Sequence, residues 1–101
     1  MSMLHTVNKS PFNSDGLSSC LQCALAGSSV LLIEDGVYAA RRGTQYEALV
    51  QEALKDKKIY ALQPDLEARG VKSNLIDGIE LVDYAGFVDL TTDHDSVQAW
   101  L

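Results

Sequence analysis

The run SVLLI at positions 29–33 constrains this chain more than any other stretch. A strand with one wet face alternates apolar and polar residues, whereas an unbroken apolar run needs cover on both faces and marks the interior of a parallel sheet. Parallel neighbours cannot be joined by tight hairpins and need crossovers, usually helices. The flanking sequence supplies both kinds of element. Met3–Val7 (MLHTV), Lys58–Leu62 (KIYAL) and 79–82 (IELV) read as further strands, and 96–101 (SVQAWL) as a last strand or a docking apolar tail.

Between these strands the apolar spacing turns helical. Leu17, Leu21, Ala24 and Leu25 form one stripe, entered from a cap at Asn13 or Ser14 and stopped by Gly27. A short piece at 37–40 precedes a helix at 46–55, on which Tyr46, Leu49, Val50, Ala53 and Leu54 share a face. A third helix is expected at 65–69, ended by Gly70, and a fourth starts at Asp83 with Phe87, Val88 and Leu90 as buried candidates. The stretch 71–78 (VKSNLIDG) is rich in turn formers. Strand–helix alternation over 101 residues implies a three-layer α/β/α sandwich around a mostly parallel sheet of about five strands. One domain, residues 1–101, is expected.

Eight Lys and Arg against fourteen Asp and Glu leave a net charge of −6, which opposes contact with a phosphate backbone. Direct nucleic-acid binding is not expected. Apolar runs are too short to cross a bilayer and the start MSMLHTVNKS has no leader pattern, so a cytoplasmic chain with no membrane contact is expected.

Ligands of open parallel sheets gather beyond the carboxyl ends of the strands. There the sequence places Glu34, Asp35, Asp65 and Asp83, without the glycine patterns that cradle phosphate. Helix caps at Asp65 and Asp83 and a turn at Asp35-Gly36 account for these acids, so no cofactor is expected.

Both cysteines sit in one C-x-x-C, Cys20-Leu21-Gln22-Cys23. A thioredoxin-like pair lies at a helix start, where the helix end and nearby cations lower a thiol pKa. With a cap at Asn13 or Ser14, Cys20 lies beyond the first turn, where the helix dipole fades. No Lys or Arg occurs from Ser10 to Ala40, whereas Asp15, Glu34 and Asp35 do. Helical residues three apart hold their Cβ atoms about 5–6 Å apart, against about 3.8 Å in a disulfide. Zinc needs about four ligands, and His5 and His94 have no paired spacing, so no metal is expected. His5 reads as a hydrogen-bonded interior or interface residue, and His94 as a solvated one beside two aspartates. Cys20 falls at the edge of the apolar stripe and Cys23 toward the polar side; packing accounts for Cys20.

The segments MLHTVNKSPF, LLIEDGVYAA, YALQPDLEARG, IELVDYAGFVDLTT and QAW, in this order along nearly the whole chain, resemble the DsrH/TusB family of sulfur-relay subunits. The DsrH branch is the closer likeness, because DsrH proteins carry a cysteine at the place of Cys20. The resemblance implies a subunit of a cytoplasmic heterohexamer, two copies each of three related chains, whose partners are DsrE/TusD-like and DsrF/TusC-like. That assembly passes persulfide sulfur to a DsrC/TusE-like acceptor, for tRNA wobble 2-thiouridine or for dissimilatory sulfur oxidation. The principal persulfide cysteine belongs to the DsrE/TusD chain. This chain is then a non-catalytic, partner-positioning subunit, with Cys20 as a persulfide carrier the alternative and a thioredoxin-like Cys20/Cys23 oxidoreductase the remaining one. Val97, Trp100 and Leu101 are candidate interface residues, unless Trp100 packs on its own core.

Overall fold

Five strands pair in the order β4-β3-β2-β1-β5, and every pairing is parallel, in a computed structural model that describes residues 3–100. They are β1 (Met3–Val7), β2 (Ser29–Leu32), β3 (Lys58–Leu62), β4 (Glu80–Val82) and β5 (Ser96–Trp100). All four residues of β2 are buried, as its apolar run demands of a strand covered on both faces. The closing segment is a strand, with four of its five residues exposed at the sheet edge. Leu101 lies outside the described residues.

Four α-helices, α1 (Gly16–Cys23), α2 (Glu47–Ala53), α3 (Gln63–Ala68) and α4 (Tyr84–Asp93), join the strands, together with a 3-10 helix at Glu34–Ala40. Strand alternation separates two faces. Val7, Val30, Leu32, Ile59 and Ala61 pack with Leu17, Cys20, Leu21, Val37, Val50 and Leu66, which places α1, α2, α3 and the 3-10 helix in one layer. The opposite face holds Leu4, Leu31 and Leu62, also buried, beneath α4. α4 reaches that face at both ends, where Gly86 packs on Val82 and His94 bonds Ser29. The result is the α/β/α sandwich expected, with a wholly parallel sheet.

Several helix limits differ from the spacing argument. Ser14 does not cap α1 directly: its Oγ accepts the Gly16 N–H at 3.2 Å, and Asp15 holds the cap position without a side-chain bond. α1 stops at Cys23 because Ala24 turns extended (ψ 131°), so Leu25 leaves the stripe and stands 78% exposed. On α4 none of the three expected core residues is buried; Phe87 and Leu90 are half-buried and Val88 is 60% exposed. One helix about 10 Å across cannot seal a sheet of five strands about 4.8 Å apart.

Candidate functional site

Cys20 is the fifth residue of α1 and points into the main core, with no solvent exposure. Burial pushes its thiol up to about 12, the exposed Cys23 adds to the rise, and Lys57 opposes it. A thiolate at neutral pH is therefore strongly disfavoured where Cys20 now sits. Cys23 ends the same helix on its outer side, and both thiols are free. Three residues turn the side chain by only about 60°; Cys23 is exposed because it is the last residue of α1, beyond which the chain turns extended at Ala24. Lys57, thirty-four positions beyond Cys23, was invisible to an argument from local charge.

Cys23 borders an open cleft of about 430 Å³ between the end of α1 and the outer edge of the sheet, lined also by Met3, His5, Leu25, Gln98 and Trp100. Register explains the gathering: His5 pairs with Gln98 and Val7 with Trp100, so their side chains share one face. His5 is almost completely buried, and its Nδ1 accepts the Trp100 indole N–H at 3.0 Å. An indole N–H only donates, so that nitrogen carries no proton and the neutral ring holds its proton on Nε2. Burial pushes the His5 pKa below its usual value. Trp100 packs against the core from the edge strand, the simpler of the two roles considered for it.

The acids at the carboxyl ends of β2 and β3 form a latch. Asp65 lies inside the first turn of α3 and is not its cap; its Oδ2 accepts the Glu34 N–H at 2.6 Å. Glu34 has a positive φ of 50°, which this bond helps to hold. Arg69 donates to Asp35 at 2.8 Å and lies 3.9 Å from Asp65. Asp35 belongs to the 3-10 helix instead of an isolated turn. The i,i+4 pairing of Asp65 and Arg69 was readable in DLEARG; the partner on the neighbouring 3-10 helix, Asp35, was not. Asp83 does cap α4, its Oδ1 accepting the Gly86 N–H at 2.8 Å.

His94 departs from the solvated role expected of it. It is half-buried; Nδ1 lies 2.7 Å from the Leu90 carbonyl and Nε2 3.0 Å from Ser29 Oγ. Because the carbonyl only accepts, Nδ1 donates to it and the neutral ring receives the Ser29 hydroxyl at Nε2. His94 thus ties the end of α4 to the start of β2. The two histidines and two cysteines do not converge: His94 serves one face of the sheet, while His5 and the thiols serve the other.

Fold and site together define a small doubly wound α/β protein with an apolar cleft at one sheet edge and with the acids Asp35, Asp65 and Asp83, beyond its strand ends, engaged in a latch and a helix cap. A family model described as DsrH like protein matches residues 9–97. The protein TusB of Escherichia coli K12 is 41% identical over 98 residues, spanning 97% of this chain and all of that one. TusB of Shigella flexneri is 40% identical over the same span. The chain belongs to the DsrH/TusB family. Among solved structures, the ychN protein of Escherichia coli superposes with a TM-score of 0.84 at 21% identity, covering 98% of each chain. A protein of unknown function from Methanobacterium thermoautotrophicum gives 0.70 at 16% identity, covering 96% of this chain and 97% of that one. These two share the fold.

Proposed function

We propose that this chain is a partner-positioning subunit of a sulfur-relay assembly, with the principal persulfide thiol on a partner. The observation that carries this is the enclosure of Cys20: the cysteine matching the family position has no solvent exposure and a thiol pKa near 12. Transfer of a persulfide sulfur begins with thiolate attack on a donor, and a sealed thiol makes a poor attacker. By family likeness the partners are DsrE/TusD-like and DsrF/TusC-like chains in a cytoplasmic heterohexamer. The sulfur passes to a DsrC/TusE-like acceptor, whose identity decides between tRNA wobble thiolation and sulfur oxidation.

Coexpression with two such chains, followed by native mass spectrometry, is expected to yield one assembly containing all three. A chain that stays monomeric and never co-purifies sinks the proposal. Within the assembly, a small persulfide donor followed by peptide mass spectrometry is expected to leave Cys20 unmodified. One added sulfur at Cys20 would instead make this chain a carrier.

A further inference from the structure

We infer that the face formed by α4 and β5 docks a different protein chain, one presenting an apolar patch framed by lysine and arginine. This inference rests on the reading of the chain as an assembly subunit and says where and by what chemistry a partner is held.

The apolar half of the argument is geometric. Tyr84 and Val88 on α4 are 61% and 60% exposed, and Val97 on β5 is 48% exposed. The rotation of α4 is set by Gly86, whose missing Cβ would come within 3.0 Å of Val82 on β4, so that flank faces the β4 side. Asp93 agrees: with Glu80 it helps raise the pKa of Tyr60 on β3, after the larger effect of burial. At 100° per residue, Tyr84 and Val88 then occupy the opposite flank, toward β1 and β5. Val97 alternates with Gln98 and Trp100, which line the cleft, and so stands on the α4 face. The three are thus exposed apolar residues on the α4 side of the sheet, toward β5, the last strand on that edge.

The charge half identifies the occupant. No Lys or Arg follows Lys72, whereas Asp77, Glu80, Asp83, Asp89, Asp93 and Asp95 do, so the whole net charge of −6 arises in the β4–α4–β5 region. Asp77 is engaged by Arg42, and Lys58, at the start of β3, is the one cation that strand alternation places on this face. The exposed Glu80, Asp83, Asp89 and Asp93 make the surface beside these apolar residues, on the β4 side of α4, acidic. A second copy meeting it face to face would bring like charges together. The rest of the chain brings no excess of positive charge to meet it, since residues 1–72 carry eight basic and eight acidic groups. A foreign basic partner supplies what the chain lacks, and such pairing sets both specificity and encounter rate.

The test measures binding of the purified chain to the purified pair of partner chains at low and high salt. Asp89→Lys with Asp93→Lys is expected to weaken binding about tenfold or more at low salt, with a smaller difference near 0.5 M. Val88→Glu with Val97→Glu is expected to weaken it at both. Glu52→Lys, the same kind of charge change on the opposite layer, is expected to bind as the unaltered chain does, and circular dichroism checks that every variant is folded. Unimpaired binding by both double variants overturns this inference alone and leaves the subunit reading standing. A homodimer of the unaltered chain that Val88→Glu with Val97→Glu breaks also overturns it, in favour of a second copy. Failure of the unaltered chain to bind the pair at all removes the subunit reading and this inference with it.

Discussion

Cys20 and Cys23 share a helix and a side-chain chemistry, and differ in place: Cys20 lies within α1 and Cys23 is its last residue. Cys20 takes a place in the core among Leu17, Leu21 and Val30; Cys23 faces the cleft. An aromatic disulfide reagent is therefore expected to titrate one thiol in the folded protein, Cys23, and the second only on unfolding. Equal rates would contradict the buried position. Cys20→Ala is expected to cost about 1 kcal/mol in a denaturant melt, the scale for deleting one buried heavy atom. Cys20→Ser should cost more, because it buries a hydroxyl in an apolar site. That Cys20 belongs to an apolar stripe was legible from spacing. That Leu25 does not was illegible, because the exit of the chain at Ala24 is a backbone event with no distinctive residue at the break. Lys57 near Cys20 arises from tertiary packing, which local spacing does not encode.

The elements followed the sequence wherever burial was extreme. β2, enclosed on both faces, announced itself by an unbroken apolar run, and Asp83 announced α4 by cap chemistry that the Gly86 N–H fulfils. β5 and the interior of α4 were harder to read, because each is half a surface: their apolar residues mark a face that this chain leaves uncovered. The charge signal there was plain, six acids with no lysine or arginine after Lys72, but it becomes a surface only once α4 and β5 are placed on the sheet. The 3-10 helix depends on a close approach the sequence hints at only by a glycine. A Cβ on Gly36 would lie 2.1 Å from the Val7 carbonyl oxygen, a backbone atom that cannot swing aside. That carbonyl also accepts the Ile33 N–H at 3.0 Å, so moving it disturbs the β1–β2 seam. Gly36→Ala is expected to destabilise the fold by more than about 3 kcal/mol, measured by chemical denaturation. Gly43→Ala is a useful contrast: its neighbourhood is open, so any cost there comes from its φ of 80°. A Gly36→Ala protein as stable as the unaltered one would disprove the close approach.

At the scale of the whole molecule, opposite shifts in buried groups set the limits of stability with pH. Burial lowers the His5 pKa below 6.5, so folding favours the neutral ring. The unfolded chain then binds more protons in the window below about 6.5, and stability falls as acid is added through the folded-state pKa. Protonation also puts a hydrogen on the nitrogen that accepts the Trp100 N–H, so the loss acts on the contact joining β5 to β1. At the other end, Cys20 rises from 9.0 to about 12. Folding favours its neutral thiol, and that contribution, complete below pH 9, is lost as pH climbs toward 12. Tyr60, raised by burial and by Glu80 and Asp93, adds a loss of the same sign above its ordinary value of 10.0. The expected profile is a plateau with an acid shoulder beginning near pH 6.5 and an alkaline decline beginning near pH 9, read by denaturant melts across the range. Cys20→Ala should remove the first part of the alkaline decline and leave the acid shoulder unchanged. His5→Gln should flatten the acid shoulder and leave the alkaline side alone. If Cys20→Ala reproduces the full alkaline decline, the buried thiol is not its source.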